Sequence, residues 1–511
     1  MDTRRSNCIH TRENGRLATT TTADIDALVA GLKDRPRVVL HFHGGLVDDA
    51  LGFATAARLT PVYEAAGVTP VFFVWSSGLL ETVRGNLPKI LSESVFRTLL
   101  HRVTRYAAGL VFAQPGRRSL GTVPTPPARA VAAELSLAER GQEPYGQLVA
   151  PPEVEQLSEA ERERITAELD ADTELALRNR EIVNSAYQDP VEAAPEGPTE
   201  QAAARGVTGG RAAAATLMSP ATVDELTVAT VAADVERAVV TSALLVRKTV
   251  RVVGAVVGRF RAHSDHGLYP TVVEEILREF YVANVGAAIW DAMKQQTAAT
   301  FAAPALPGEV RAGRYFMDRF GELLAAGPRP RLSVVGHSAG AVFIDNLLTD
   351  LDRRRTAAEE PVPADFRIRD VVLLAPACTV AHLAPVVRRR AELFDRFRMF
   401  TMTDTAERAD HLVPHLYPRS LLYFVSGVLE RDPDGRSAVL PLAGMQRAYS
   451  DGAGGAGQDI AAVRDFLDAD ATRTVWSPHD GGPGLRSGAH SHSGFDDDPE
   501  VLASVAAMLA E

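Results

Sequence analysis

The sequence predicts an α/β fold in which a mostly parallel, doubly wound sheet is interrupted by a large, mainly helical insertion. An apolar strand, a helix and a second apolar strand follow one another between residues 35 and 75. The alternation of strands and helices returns after Gly313 and continues to the end of the chain. Residues 76–311 separate these regions and are too many for one crossover helix. We therefore expect an insertion between the second core strand and the next one.

The first predicted elements include a β-α-β unit. Helical spacing from Thr22 to Lys33 predicts a short helix before it. The apolar run from Val38 to Phe42 is typical of a buried parallel strand, and Val71 to Trp75 is a second such run. The residues between them predict a helix from about Ala50 to Ala66, broken or kinked near Pro61. Strand, helix and strand at this spacing predict a parallel pair of strands.

The insertion contains one segment of biased composition. Residues 120–215 are rich in Ala, Glu, Arg, Pro and Gly and poor in aromatic residues. Ser158 and Glu161 form a capping box, which predicts a helix that continues to about Ile182. The rest of this segment has the composition of a mobile linker.

Two further helical blocks are predicted within the insertion, at 222–261 and 271–296. Residues 242–261 carry apolar side chains on one face and mostly basic ones on the other. This pattern favours a helix that is packed on the core with a solvated basic face. The alternative is a lid or an interfacial helix that makes peripheral contact with a membrane.

The region after Gly313 predicts the remainder of the sheet. The apolar run that ends at His337 predicts a strand with a helix on either side. Later runs predict three more strands, at Asp370–Leu374, Arg396–Thr403 and Arg473–Trp476. A last helix is expected from about Pro499 to Leu509, since Asp498 can serve as its N-cap. The predicted units are an N-terminal segment with a short helix at 1–34, an α/β core at 35–75 and 312–511, and the insertion at 76–311.

The composition excludes some classes of partner. The chain has 511 residues, of which 46% are hydrophobic and 23% charged, as in ordinary globular proteins. Its net charge of −11, with no basic run, argues against nucleic acid as a bulk partner. Cys8 and Cys378 do not make a disulfide framework, and no apolar stretch approaches the length of a transmembrane segment. We expect a cytoplasmic protein without a secretory signal, whose oligomeric state the sequence leaves open.

The most informative motif is Gly336-His337-Ser338-Ala339-Gly340, directly after an apolar strand and directly before a helix. G-x-S-x-G in this setting is typical of a sharp turn that exposes a nucleophilic serine. The turn requires glycine at positions 336 and 340, because a side chain there would collide with the neighbouring strand or helix. Ser338 is therefore the candidate nucleophile.

A serine hydroxyl needs a base and an orienting acid, which follow it in the chain order Ser, acid, His on this type of sheet. His492 lies in a Gly- and Ser-rich loop between the last strand and the last helix and is the candidate base, with His490 as the alternative. Asp404 is the first residue past a predicted strand and is the candidate acid. Asp410 is the alternative, because the position of the acid varies with loop length.

Acyl transfer also needs backbone N–H groups that bind the developing oxyanion. The N–H of Ala339 is one candidate, and that of Gly45 or Leu46, after the first core strand, is the other. Neighbouring residues are expected to contact the substrate, namely His43, Gly44 and His337.

These segments resemble the α/β-hydrolase superfamily of serine hydrolases. The resemblance lies in LHFHGG at 40–45, VVGHSAG at 334–340, MTD at 402–404 and SHSGF at 491–495. It implies an eight-stranded sheet, a Ser–Asp–His triad and an acyl-enzyme, and the HGG segment is similar to the oxyanion motif of lipases and esterases. The chain departs from the family in two respects, since the family's first two strands are not evident and the insertion exceeds an ordinary cap.

The expected function is hydrolysis of an ester-type bond in a small-molecule or lipid-like substrate. No metal or cofactor is expected, because the histidines at 41, 43, 263 and 266 lack a partner set with metal-ligand spacing. Two alternatives remain open. One is acyl transfer to another acceptor on the same scaffold, and the other is a non-catalytic interaction module that uses the insertion.

Overall fold

In the computed structural model, the chain forms an α/β structure around a mixed, mostly parallel sheet of eight strands. The structure describes residues 6–511 except 46–47, 76–78, 114–124, 152, 189–215, 232–236, 282–285, 328, 358–360, 364, 390, 415, 433–437 and 451–456. Of the low-complexity segment at 120–215, residues 120–124, 152 and 189–215 therefore lie outside the described residues.

The strands are β1 (Cys8–Arg12), β2 (Arg16–Leu17), β3 (Arg37–Phe42), β4 (Thr69–Val74), β5 (Arg331–His337), β6 (Ile368–Leu374), β7 (Phe394–Met402), β8 (Thr474–Ser477), β9 (His479–Asp480) and β10 (Arg486–Ser487). The helices before the fifth strand are α1 (Thr22–Gly31), α2 (Asp49–Ala65), α3 (Leu79–Ser92), α4 (Ser94–Val111), α5 (Ala128–Glu139), α6 (Glu159–Asp170), α7 (Thr173–Gln188), α8 (Pro220–Val231), α9 (Arg237–Arg261), α10 (Leu268–Ile276), α11 (Ala287–Phe301) and α12 (Ala312–Ala326). Those after it are α13 (Gly340–Thr356), α14 (Val380–Arg389), α15 (Asp404–Ala409), α16 (Leu421–Phe424), α17 (Gln458–Asp468) and α18 (Pro499–Ala510).

The strand order is β2-β1-β4-β3-β5-β6-β7-β8, and every pair in the sheet is parallel except β1 with β2. The chain passes from β3 to β4 on one side and then places β5 on the other side of β3. The strand order therefore reverses between β3 and β5. In open parallel sheets, ligands bind beside the carboxyl ends of strands at such a reversal.

The N-terminal segment contains the short helix that was expected and also contributes two strands to the sheet, which were not predicted. Strand β1 pairs in parallel with β4, with Ile9 opposite Phe73, and β2 turns back along β1. Strand β1 has only two apolar residues, Cys8 and Ile9, followed by three polar ones, so it contains neither a continuous apolar run nor a regular alternation.

Helices cover the sheet on both faces. On one face, Leu40, Phe42 and Val334 pack in a large core together with α12, α13 and the inserted helices. On the other face, residues such as Val39 and Val335 pack with α2 and α18. Because both faces are buried, the parallel strands appear in the sequence as continuous apolar runs.

The insertion is helical where it is described, as predicted, but its helices are shorter. The capping box at Ser158 is present and begins α6, whereas the predicted single helix to Ile182 is divided. Asp172 accepts hydrogen bonds from the N–H groups of Glu174 and Leu175, so a second N-cap starts α7. Helix α2, in contrast, continues through Pro61 as one element.

Helix α9 contains the two-faced segment at 242–261. Its apolar residues, including Val246, Val253 and Val257, are buried against other helices of the insertion, and Arg247 and Arg251 are exposed. The apolar face is therefore occupied inside the molecule, which argues against the predicted alternative of membrane contact. No helix in the described part of the chain combines the length and apolar character needed to cross a bilayer.

A buried polar cluster joins the insertion to the core. The Glu274 carboxylate, on α10, accepts hydrogen bonds from Arg259 at 2.6 Å and from the Tyr417 hydroxyl, and it lies 2.9 Å from His266 Nδ1. Burial by itself raises the pKa of Glu274, but the charges of His266 and Arg259 and its hydrogen bonds bring it to about 2. The carboxylate is thus ionised and paired. Arg419, on the core side, binds the His266 carbonyl oxygen.

Candidate active site

Ser338 lies at the carboxyl end of β5, in a turn that leads directly into α13. Its φ of 54° is in the left-handed region, which a non-glycine residue rarely adopts. A Cβ at Gly336 would lie 2.6 Å from the Gly340 carbonyl oxygen, and one at Gly340 would lie 2.2 Å from the Phe42 oxygen. Both contacts are too short for a side chain. The two glycines of the motif therefore permit the close packing that the sequence analysis expects.

His492 reaches this serine from the loop between β10 and α18. Its Nε2 lies 2.8 Å from Ser338 Oγ, which is a hydrogen-bond distance, and both side chains are buried. The loop is followed by α18, where the Asp498 carboxylate caps the helix by accepting from the Val501 N–H, as predicted. The alternative base, His490, is exposed.

The imidazole of His492 is neutral at neutral pH. Burial lowers its pKa well below the usual 6.5, and the neighbouring His337 lowers it further. A neutral imidazole can accept the proton of the Ser338 hydroxyl, which is what a general base requires.

The structure distinguishes the two candidate acids. Asp404 is in the first turn of α15, where its carboxylate accepts a hydrogen bond from the Tyr423 hydroxyl and its N–H binds Gln446. No hydrogen bond joins it to His492 among the described residues. Asp410 follows the end of α15, and its Oδ2 accepts the backbone N–H of His492 at 2.8 Å. Asp410 therefore contacts His492 at its backbone and Asp404 does not, but neither carboxylate binds the imidazole ring among the described residues.

The Nδ1 atom of His492 is buried without a hydrogen-bond partner in the described part of the chain. In a triad, this nitrogen donates to the acid, which fixes the tautomer of the ring. Asp410 is held at the backbone of the same residue. Catalytic hydrogen bonds are often incomplete in unliganded enzymes, and Asp410 is the candidate acid that contacts this residue.

His337 is predicted to contact the substrate. In the structure, its side chain contacts the loop that carries His492. Its Nε2 donates a hydrogen bond to the carbonyl oxygen of His492 at 3.0 Å, and the two rings lie 5.5 Å apart. Its Nδ1 lies 3.8 Å from the Asp496 carboxylate. Side chains therefore bind both backbone polar groups of His492, Asp410 at the N–H and His337 at the carbonyl.

Of the three residues whose N–H groups are candidate oxyanion donors, the structure describes two, Ala339 and Gly45. Ala339 is buried and is the N-cap of α13, so its N–H lies next to the nucleophile at the positive end of a helix dipole. A Cβ at Gly45 would lie 2.9 Å from the Ala339 Cβ, so these two candidate donor residues are in contact. Leu46, the alternative to Gly45, lies outside the described residues.

His43 has a structural position and does not fit the predicted contact with substrate. Its Nδ1 donates to the Gly44 carbonyl at 2.8 Å, and its Nε2 accepts the Trp75 N–H at 3.1 Å. Burial lowers its pKa to about 4, so the ring is neutral. Both nitrogens are used, and they hold the ends of β3 and β4 together. Gly44 lies against the nucleophile, because a Cβ there would be 3.4 Å from the Ser338 Cβ.

A helix of the insertion covers Gly45, a candidate oxyanion donor in the loop after β3. The sequence did not indicate this contact. Met293, on α11, packs so closely on Gly45 that a Cβ at this glycine would lie 2.3 Å from its sulfur. Trp290 and Lys294, on the same helix, bind the buried Glu430 carboxylate at 2.8 and 2.9 Å. The carboxylate thus anchors α11 to the core segment after α16. Only the pairing of distant residues, which a single sequence does not show, could have revealed this contact.

Comparisons with protein-family models, with curated proteins and with solved structures each found no match. The functional argument therefore rests on the geometry of the chain itself.

Proposed function

We propose that this protein is a serine hydrolase of the α/β-hydrolase type, which cleaves an ester-type bond through an acyl-enzyme. The observation that carries the proposal is the 2.8 Å contact between His492 Nε2 and Ser338 Oγ, at a serine with a strained backbone conformation. Strained backbone at a buried serine next to a neutral imidazole is typical of a catalytic nucleophile. The choice of an ester rests on analogy of fold and motif.

The sheet supports the proposed fold type. The nucleophile follows β5 and lies beside the strand-order reversal, and the base comes from the loop before the last helix. The acid candidate Asp410 follows β7, so the chain order is Ser, acid, His. The inserted helices occupy the segment between β4 and α12, where they cover the carboxyl edge at Gly45.

In the proposed reaction, the Ser338 hydroxyl gives its proton to His492 Nε2 as its oxygen attacks the carbonyl carbon. The oxyanion that forms accepts hydrogen bonds from the Ala339 N–H and from an amide of the loop after β3. The imidazolium then protonates the leaving alcohol, and the acyl group remains on Ser338. Water, deprotonated by His492, releases the acid. The Asp410 carboxylate stabilises the imidazolium in both steps.

Covalent labelling with a fluorophosphonate probe tests this proposal on the full chain. We expect one labelled site, at Ser338, and release of p-nitrophenol from short p-nitrophenyl esters. Ser338→Ala should abolish both. Ser333→Ala is a matched control, because Ser333 is a buried serine on the same strand that binds Asp370 at 2.7 Å. It should keep both the label and the activity.

The two open alternatives give different results in the same experiment. Labelled protein that yields only transfer products with added alcohols or amines would support an acyltransferase in place of a hydrolase. Folded protein that neither reacts with the probe nor turns over any ester of the series would contradict a catalytic role for Ser338.

A further inference from the structure

A groove in the insertion contains none of the residues of the proposed reaction. The last two turns of α9 form one wall, and Gln156, Leu157 and Arg162, from α6 and the segment before it, form the other. The groove has a volume of about 350 Å³ and is open to solvent. This volume is within the range of sites that bind small ligands. We call it the insertion groove.

The insertion groove is deep because α9 carries glycine on two successive turns. Gly254, Val257, Gly258 and Arg261 are three or four residues apart, so they lie on one face of the helix. A Cβ at Gly258 would meet no atom within 4 Å, and one at Gly254 would be 3.6 Å from Leu157, which is ordinary van der Waals contact. Glycine also stabilises a helix less than alanine does. Packing within the chain thus does not require these glycines, whereas a ligand that lies against α9 would.

Two arginines line the groove, one from each wall. Arg162 lies over α9, with its two terminal nitrogens 3.8 and 3.9 Å from the Cβ position of Gly254. Arg261, in the last turn of α9, donates to the Gln156 amide oxygen at 3.4 Å. Among the described residues, neither guanidinium has an ion pair, and no residue that lines the groove carries a carboxylate. The groove therefore contains two positive charges that its own lining does not neutralise.

Two nearby sources of negative charge already have partners. The Glu161 carboxylate, next to Arg162 in the sequence, accepts hydrogen bonds from the N–H and the hydroxyl of Ser158 in the capping box. At the carboxyl end of α9, the carbonyl oxygens of residues 258–260 accept N–H groups from the turn that follows. Because these groups are hydrogen-bonded, they compete little with an anion for the two arginines.

The charge and the floor of the groove indicate the class of ligand. Leu157 and Val257 are buried beneath it and give it an apolar floor. A phosphate monoester carries about two negative charges at about pH 8, which matches two guanidiniums. Its oxygens can accept hydrogen bonds from both guanidinium groups, whereas a single carboxylate would neutralise only one of them.

We propose that the insertion groove binds a small, soluble phosphate monoester with an apolar body. Arg162 and Arg261 bind the phosphate, and the apolar body lies on the floor in the space left by the two glycines. The proposal is independent of the hydrolase proposal, because neither the candidate nucleophile nor the candidate base lines the groove.

Isothermal titration of the full chain with phenyl phosphate and with phenyl sulfate, at about pH 8, tests the role of charge. The two compounds have nearly the same shape, but the sulfate carries only one negative charge. We expect phenyl phosphate to bind with a Kd below about 1 mM and phenyl sulfate to bind at least about tenfold more weakly. Arg162→Gln and Arg261→Gln should each weaken phenyl phosphate binding by about tenfold or more. Arg180→Gln removes an exposed arginine of α7 outside the groove and should bind as the parent does.

A second variant tests the location without a change of charge. Gly258→Leu fills open space in the groove, so it should prevent phenyl phosphate binding. It should also leave the fold intact, because leucine favours a helix more than glycine does, and thermal unfolding checks this. Gly85→Leu is its matched control, since a Cβ at Gly85, on α3, also meets no atom within 4 Å. The control should bind phenyl phosphate as the parent does.

The proposal is overturned if phenyl phosphate does not bind at about 10 mM, if phenyl sulfate binds equally well, or if Gly258→Leu binds phenyl phosphate as the parent does. Sedimentation with vesicles of phosphatidylcholine and phosphatidic acid distinguishes a soluble ester from a lipid headgroup. Protein that binds these vesicles but not phenyl phosphate would also overturn the proposal. Each of these results can occur with Ser338 fully reactive, so it would leave the hydrolase proposal intact.

Discussion

The carboxyl ends of β5 and β7 both deliver a side chain to His492, but by different routes. At β5, the strand passes directly into α13, and Ser338 occupies the single residue of turn with a φ of 54°. At β7, Thr403 caps the short helix α15, and the residue after this helix, Asp410, reaches His492. The backbone of a single residue positions the proposed nucleophile, whereas the length of a helix positions the proposed acid.

This difference affects how well the carboxyl end of β5 and the carboxyl end of β7 tolerate substitutions. At β5, the serine is fixed by close packing, since a Cβ at Gly336 or Gly340 would collide with the backbone. At β7, the position of Asp410 depends on α15, which is attached at its start by the Thr403 N–H bond to the Ser477 carbonyl. We therefore expect the β5 end to be the essential and rigid part of the site, and the β7 end to be adjustable.

The largest effect should come from the β5 end. Ser338→Ala and His492→Ala should each lower kcat for a p-nitrophenyl ester by a factor on the order of 10⁴ or more, because the first removes the nucleophile and the second removes the base that activates it. The double variant should be little worse, since the two residues act as a unit. Steady-state kinetics at saturating ester, with fluorophosphonate titration of active sites, measures this.

Ser333→Ala is the control for a change on the same strand and should retain kcat within about threefold. Additive losses in the Ser338, His492 double variant would contradict the proposed interaction between the two side chains.

The next effect separates the two acids at the β7 end. Asp410→Asn should lower kcat by about 10²- to 10⁴-fold, because an amide accepts the His492 N–H but does not stabilise an imidazolium. Asp404→Asn, six residues earlier, changes charge and size identically and should cost less than about tenfold. Kinetic assays of the two variants side by side give the comparison.

If Asp404→Asn is the more damaging of the two, the acid is Asp404 and the hydrogen bond from Tyr423 must break during the reaction. Equal and small losses would mean that neither carboxylate serves as the acid of the site.

Much of the sheet and the β5 end could be predicted because the signals there are local. Buried parallel strands such as β3 and β4 appear as apolar runs, and the glycines around Ser338 record contacts made within one turn. Strands β1 and β2 could not be found in this way, since β1 mixes His10 and Thr11 with apolar residues and β2 has two residues.

The prediction placed Asp404 directly after a strand and did not consider that a helix begins there. Thr403 followed by Asp404 and Glu407 is a helix N-terminal pattern, and the Thr403 hydroxyl does accept from the Ala406 N–H. This signal was present in the sequence and would have placed Asp404 in a helix. The contacts of His337 with His492 and of Met293 with Gly45 join residues far apart in the chain, so no local pattern predicts them.

A smaller effect should come from His337, which positions the base from the β5 end. Removing its hydrogen bond to the His492 carbonyl in His337→Phe should lower kcat by about tenfold, equivalent to one hydrogen bond. His337→Gln can still donate from its amide and should recover most of the loss. Values of kcat and KM for both variants test this, with KM expected to remain close to that of the parent.

If the Gln and Phe variants lose activity equally, the hydrogen bond is not what matters at this position. A rise in KM without a fall in kcat would indicate that His337 contacts the substrate, as the sequence analysis predicts.

The smallest effect concerns pH and sharpens the contrast between the two ends. A base with a lowered pKa remains deprotonated as the solution becomes more acidic, so kcat/KM should change by less than about twofold between pH 8 and 6.5. The activity should fall only below this range, as His492 becomes protonated. After burial, the electrostatic effect of His337 is the second cause that lowers the pKa of His492, so the acid limb of His337→Gln should lie at higher pH than that of the parent. An acid limb centred near pH 7 in the parent would instead indicate that a carboxylate already binds His492 Nδ1 and raises the pKa of His492. The contact between the acid and the base would then form before substrate binds.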